Sequence, residues 1–539
     1  MSALAFELLG EIFAPLETLL ASGGDTRLQI DAATRLNGYG CRPFPRPEAF
    51  TFASSTATSI SERGFAAAEA VRHALIRDGL RRGLESAFDD HVEAQRVTLL
   101  RLLDLDGAAP SVVFSPSGTD SELHALFVAR TLLGTPMASV VVAADETGSG
   151  IAYAACGKHF NSLTAQGMSV EKGHPVRGLA DDIASVPIPL RDAQGHVRPL
   201  AEIDEAVIAA VGDAIKAGHK VLLHAMDRSK LGGRAPSLAC LLELGARWPG
   251  RVQILVDACQ MRLSRSRLRW HLDRGHLVLV TGSKFFTGPP FSGALLVPAG
   301  LSARMAAAPA PPAGLHDYTS RSDWPRSWES VRRSLRERLN LGQYLRWSAA
   351  LEEMRAYLSV PASYRKSALA QFGAAAQQLI TGEGALQLLP AYEDCDTAAT
   401  LGIDDDEMAA RTIFPFLVRR SGSLLSLAEC SLLYRALNED VSRSLPATAS
   451  PRDQQLARQL CHIGQPVALR AADDGDTAAL RISAGARIVS DTWSDAGDTA
   501  ALQHEFEQVR IILDKLDLLL RHFDALSATA AAARNEAAA

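Results

Sequence analysis

With 539 residues the chain is too long for one core and is expected to form roughly three to four domain-sized units. Apolar residues make up 47% and charged residues 22%, an ordinary globular balance. The net charge of −6 excludes a general pull toward nucleic acid or anionic membrane, so any bound anion must be held by a local site.

The chain opens on MSALAFELLGEIFAPLETLL, which carries Glu7, Glu11 and Glu17 and no basic stretch, so no secretory leader is expected. The loop from Asn37 to Phe50 follows, made irregular by its glycines and by prolines flanking Arg46. Val71, Ala74, Leu75, Val97, Leu99 and Leu100 recur at helical spacing, which predicts helix from about Ala66 to Leu103. Short apolar runs then appear at 111–114, 138–144, 220–226, 252–258, 276–282 and 294–298, most separated by helix-like sequence. That alternation predicts a mainly parallel sheet covered on both faces, with its ligand site beyond the carboxyl ends of the strands.

Past residue 325 the sequence reads as one or two helices leaving that unit, then a smaller α+β region with strands near 412–420, 464–469 and 478–485. An amphipathic helix is expected near 503–525. The expected division is a helical segment with a loop at 1–105, a large α/β domain at 106–325, a small α+β domain at 326–525, and a flexible Ala-rich tail at 526–539. No apolar run approaches the roughly 18 residues a membrane span needs. The seven cysteines (Cys41, Cys156, Cys240, Cys259, Cys395, Cys430, Cys461) form no CxxC pair, which argues against a disulfide framework and a zinc site. A cytoplasmic protein without a metal is expected.

Three strand ends carry chemistry. The 111–114 run leads into Ser117-Gly118-Thr119 at the start of a helix, where backbone N–H groups attract a phosphate, although an ordinary N-cap also accounts for it. Asp257 ends one apolar strand, with Gln260 three residues later. Lys284 lies just past another. A lysine beside so much apolar sequence must find a partner or lose its charge, and the neutral amine is what imine chemistry uses. A phosphate turn, then a strand-end Asp, then a strand-end Lys is the order that a pyridoxal-5′-phosphate site needs. Lys284 holds the cofactor as a Schiff base, Asp257 keeps the ring nitrogen protonated, and the turn anchors the phosphate.

On these residues the chain resembles a fold-type I pyridoxal phosphate enzyme of the class V aminotransferase and cysteine desulfurase group. Asp257-Ala258-Cys259-Gln260 matches the group's D-x-x-Q, and Thr281-Gly282-Ser283-Lys284 resembles its S-x-H-K, with Ser283 in place of the histidine. Gly288-Pro289 and Gly293-Ala294-Leu295 resemble its G-P…G-A-L strand. His224 and Asp227 stand where the group has H-x-x-N, and Arg481-Ile482-Ser483 resembles its R-x-S.

The resemblance implies a large domain built on a mainly parallel seven-stranded sheet. It places Gln260 at the cofactor's phenolic oxygen, Thr281 and Ser283 at its phosphate, and His224 and Asp227 near the ring. Thr147, with Glu146, occupies the stretch where the group has its ring-stacking residue. Arg481 is expected at the substrate carboxylate, which suits a bidentate guanidinium. The implied protein is a homodimer with shared active sites, acting on a small amino acid by Cα deprotonation. Amino-group transfer comes first, with C–S or C–C lyase chemistry second and a non-catalytic binding protein third.

Other residues have competing readings. Cys461 is the candidate thiol for a desulfurase, yet it borders apolar strand sequence. Lys230 could reach the site or be solvated. His159 and Asn161 could line the pocket, and Tyr318 and Arg321 could form a substrate loop. The basic runs at 264–268 and 332–338 read as solvated helix faces.

Overall fold

All six apolar runs become strands in the computed structural model, which describes residues 10–180, 183–392, 398–471, 475–495 and 500–529. In chain order the strands are β1 (Ala49–Phe52), β2 (Ser111–Ser115), β3 (Met137–Val142), β4 (Ile183–Ile188), β5 (Lys220–Met226), β6 (Val252–Asp257) and β7 (Leu277–Thr281). They continue with β8 (Gly293–Val297), β9 (Leu386–Leu388), β10 (Ile413–Arg420), β11 (Ser423–Leu424), β12 (Leu460–Ala471) and β13 (Gly475–Ser483).

Seven of them form one sheet in the order β2-β8-β7-β6-β5-β3-β4, in which only β8 runs antiparallel to its neighbours. The α/β expectation with a mainly parallel seven-stranded sheet is borne out. Alternate residues explain why these strands read as unbroken apolar runs. Val221 and Leu223 of β5 face one core while Leu222 faces the other, and Val278 and Val280 of β7 oppose Leu277 and Leu279 in the same way. Both faces are buried, so both sets must be apolar.

Strand β4 escaped the sequence reading. It lies at the sheet edge, is half-exposed and contains Pro187, which an edge strand tolerates because that position need not donate inward. The helical stretch expected over Ala66–Leu103 is two helices, Glu62–Arg82 and Leu84–Leu102, parted by Gly83 at φ 91°. A left-handed residue there stops one helix and redirects the next.

The second sheet runs β1-β12-β13-β10-β11, with β9 also paired to β10. The expected strands of the C-terminal α+β region are present here. Strand β1, from the N-terminal part of the chain, lies parallel to β12, with Ala49 opposite Leu460 and Phe52 opposite Ile463. Helix Ala500–Arg521 closes the described chain's packing. Of the tail expected at 526–539, residues 530–539 lie outside the described residues, as does Cys395.

Helix Gly118–Leu133 positions the site. Its residues are buried nearly all round, packed between the large sheet and other residues of the same core, with Trp324 against both His124 and Phe127. A helix enclosed in this way has no solvent face, so its polar residues Asp120, Glu122 and His124 are buried too.

Candidate active site

At the carboxyl ends of the parallel strands lies a cavity of about 290 Å³, walled by residues following β2, β3, β5, β6 and β7 and by Arg481 of β13. A larger cleft of about 550 Å³ between residues 45–63 and 483–508 contains neither Lys284 nor Asp257, so volume alone does not locate the chemistry. The smaller cavity contains both.

Lys284 sits in the turn after β7. Its amine donates to the backbone carbonyl of Thr56 and lies 5.9 Å from the centre of the Tyr39 ring. Desolvation pushes its pKa down to about 8, assisted by the charges of Arg481 and Arg27 and opposed by Cys259 and Asp257. Asp257 ends β6, and its Oδ1 accepts from the backbone N–H of Cys259 at 3.0 Å. Burial, followed by the charge of Glu122, pushes its carboxyl pKa up. A buried carboxylate of this kind calls for a cation beside it.

Ser117 caps helix Gly118–Leu133. Its Oγ accepts from the Asp120 backbone N–H at 3.3 Å, and the Asp120 carboxylate accepts the Ser117 backbone N–H at 3.0 Å. Glycine is required at two places here. A Cβ on Gly118 would stand 2.6 Å from Cys259 Sγ, and one on Gly293 would stand 2.7 Å from the Ser117 carbonyl oxygen. The turn is thereby packed directly onto β8 and the β6 loop, with Ser117, Gly118 and Thr119 on the cavity wall.

Most of the other residues expected at the site also line this cavity: Thr147, Gln260, Thr281, Ser283 and Arg481. Gln260 donates to the Ser55 carbonyl at 3.0 Å and accepts from Arg262 at 2.7 Å. Thr281 Oγ1 donates to the Cys259 carbonyl at 2.6 Å. His224 and Asp227, expected near the ring, do not line the cavity wall. The side chain of His224 points from β5 toward helix Gly118–Leu133, where its Nδ1 lies 2.8 Å from Glu122 Oε2. Since His224 pairs with Leu255 in the register, it shares the sheet face of Asp257 and acts on that carboxylate from behind. The carboxylate of Asp227 is 3.3 Å from Arg234, and its backbone N–H donates to the Asp257 carbonyl.

Glu146 is fully buried in its own network. Its Oε1 accepts from Arg191 at 2.8 Å and from Tyr392, and its Oε2 accepts from Ser229 at 2.5 Å. This carboxylate is a latch for the loop after β3 and not a stacking group.

Several wall residues were missed by the sequence reading. Arg27 and Tyr39 come from the N-terminal segment, and Arg27 reaches Ser117 Oγ at 3.2 Å while holding Asp25 at 2.6 Å. Thr56 accepts from Lys284 through its carbonyl and from Arg481 through its hydroxyl at 2.9 Å, so one residue fixes both cations. Nothing local in the sequence marks these positions, because the loop that carries them has no period.

The residues with competing readings are also placed. Lys230 lines the cavity. His159 and Tyr318 bond each other at 2.6 Å, and Asn161 accepts from Thr26; none of the three lies on the wall. Arg321 is paired with Glu337. Cys461 is fully buried in β12, away from the cavity, and burial pushes its thiol up to about 12.

No family model matches the chain, and no curated protein matches it. Among solved structures, the Oryza sativa TDC with PLP is similar at 13% identity and a TM-score of 0.48, covering 88% of this chain and 84% of that one. The cystine C–S lyase C-DES with its product cysteine persulfide is similar at 15% identity and a TM-score of 0.49, covering 86% and 98%. The cysteine desulfurase CsdA from Escherichia coli is similar at 14% identity and a TM-score of 0.45, covering 87% and 95%.

Proposed function

We propose that the protein is a pyridoxal-5′-phosphate enzyme acting on a small amino acid, with Lys284 as the amine that binds the cofactor and moves the substrate's Cα proton. One observation carries the reading. The amine of Lys284, with its lowered pKa, and the buried carboxylate of Asp257 interact across a cavity that also holds the N-terminus of helix Gly118–Leu133.

The residues fit the group. Lys284 would hold the cofactor through its aldehyde. Asp257, whose charged form is disfavoured by desolvation, would be matched by a protonated ring nitrogen. Gly118 and Thr119, at the start of the helix that Ser117 caps, would offer donors for the phosphate, with Arg27 beside them and Thr281 on the same wall. When bound, the cofactor supplies the electron sink for charge left at Cα.

An amine with a pKa near 8 is balanced between base and acid, which suits Lys284 to take the Cα proton and return it. Arg481 and the polar wall orient the substrate. Amino-group transfer, with Lys284 as the group that would hold and return the proton, is the reading placed first. Departure of a β-substituent gives C–S or C–C lyase chemistry, the alternative. The burial of Cys461 weighs against a desulfurase that uses that thiol. A third reading, a binding protein without turnover, is disfavoured by a set of Asp257, Lys284 and Arg481 on one cavity.

Among the described residues no helix is long and apolar enough to cross a membrane. The reading extends to a cytoplasmic homodimer, consistent with free thiols at the six described cysteines. Light scattering in solution tests the dimer. The function is tested by purifying the protein with pyridoxal phosphate and reading its visible band before and after borohydride. Incubation with amino acids then separates 2-oxo acid from sulfide or ammonia. A colourless protein that takes up no cofactor ends the proposal.

A further inference from the structure

We propose that Lys230 receives the carboxylate of the substrate, sharing with Arg481 a task that the sequence assigns to the arginine alone. The inference rests on the pyridoxal phosphate reading above and deepens it.

The guanidinium of Arg481 is largely committed. Its Nε donates to the Gln465 carbonyl at 3.1 Å. Its Nη2 donates to that same carbonyl at 2.7 Å and to Thr56 Oγ1 at 2.9 Å, and its Nη1 donates to the Lys230 carbonyl at 3.1 Å. A guanidinium has five N–H groups, and a bidentate carboxylate needs two that are adjacent and parallel. Here a single N–H on Nη1 is left. Arg481 is therefore a one-point contact and a structural tie between β13, the 55–57 loop and the turn after β5.

Lys230 sits in that turn, and its backbone is held on both sides. Its N–H donates to the Glu146 carbonyl at 3.3 Å, and its carbonyl takes the bond from Arg481. Ser229 tightens the turn, accepting from Leu231 and Gly233 while donating to Glu146. The side chain of Lys230 faces the cavity, and among the described residues its ammonium has no hydrogen-bond or ion-pair partner. The charges bearing on it are those of Arg481, Lys284 and Arg27, with Asp257 the single carboxylate opposing them. Glu146 lines the same wall but is consumed by Arg191, Ser229 and Tyr392. Burial, then those three cations, hold the Lys230 amine down to about 7. An incoming carboxylate opposes the three cations and restores the ammonium, so that the group best able to gain a partner lies beside the one-point arginine.

The test uses two reagents that attack the bound cofactor whatever the true substrate: aminooxyacetate, which carries a carboxylate, and methoxyamine, which does not. In the holoprotein the ratio of their reaction rates, read from the visible band, reports the carboxylate contact. Lys230→Met is expected to lower that ratio about tenfold or more, the loss of one charge-assisted hydrogen bond. Lys230→Arg is expected to recover most of it, and cofactor affinity should stay within about twofold in both variants. An unchanged ratio in Lys230→Met overturns the proposal while leaving the pyridoxal phosphate reading intact. A weakened cofactor affinity with an unchanged ratio places Lys230 on the phosphate and also overturns it. A wild-type protein without the visible band overturns both readings.

Discussion

Lys284 is half-buried and Lys515 fully buried, and in both desolvation pushes the pKa down to about 8. Their surroundings differ in the number of partners. Lys515, on helix Ala500–Arg521, is fully buried and donates to the carbonyls of Leu437, Glu439 and Gln459 at 3.0, 2.8 and 2.6 Å. All three N–H groups of its ammonium are used, and they tie down the end of helix Leu427–Leu437 and the chain just before β12. Lys284 has one carbonyl partner, Thr56, and opens onto a cavity of cations. Similarly lowered pKa values thus accompany a fastener where acceptors saturate the amine and, in the proposed function, a nucleophile where they do not. Perturbed acidity by itself does not mark a catalytic group.

Substitutions sharpen the contrast, beginning with the largest effect. Lys284→Ala should abolish turnover and the visible band while leaving the melting temperature nearly unchanged. Turnover surviving that change would exclude the mechanism. Lys515→Met should do the reverse. Three stranded carbonyls cost about 3 kcal/mol or more in urea denaturation, with the rate per folded molecule preserved. Next comes Asp257→Ala, which removes the charge proposed to face the ring nitrogen. It should lower kcat roughly a hundredfold, as expected for losing one preorganised electrostatic stabiliser, measured by steady-state assay.

A smaller effect is expected from Arg27→Met made together with Asp25→Asn, so that no buried carboxylate is left without its partner. Cofactor affinity should fall about tenfold by absorbance titration. The smallest effect is in pH. Cofactor uptake by the apoprotein needs the neutral amine, whose fraction grows as pH rises through the folded pKa. The uptake rate should climb up to about pH 8 and level off there, instead of rising toward 10.5, the ordinary lysine value.

How legible these features were depends on how each residue is delivered. Asp257, Thr281 and Lys284 follow directly on apolar strands, so the same pattern that predicts the strand places the side chain at its carboxyl end. Arg27, Tyr39 and Thr56 arrive from an irregular segment whose position is set by long-range pairing, and no periodicity announces that. His224 illustrates a subtler limit. It was read from a motif as a cofactor-binding residue near the ring, yet it lies within β5, short of the strand's carboxyl end, and faces Glu122 instead of the cavity. Lys515 reads as one more polar position on an amphipathic helix, because saturation by three carbonyls is a property of what packs against it.

The pairing of β1 with β12 also bears on how the molecule comes to exist during translation. Phe50 emerges from the ribosome long before Cys461, the residue opposite it, so its strand lacks its partner strand until β12 is made. Arg27, Tyr39 and Thr56 belong to the same early stretch. The wall around Lys284 is therefore completed only once these sequence-distant segments have met.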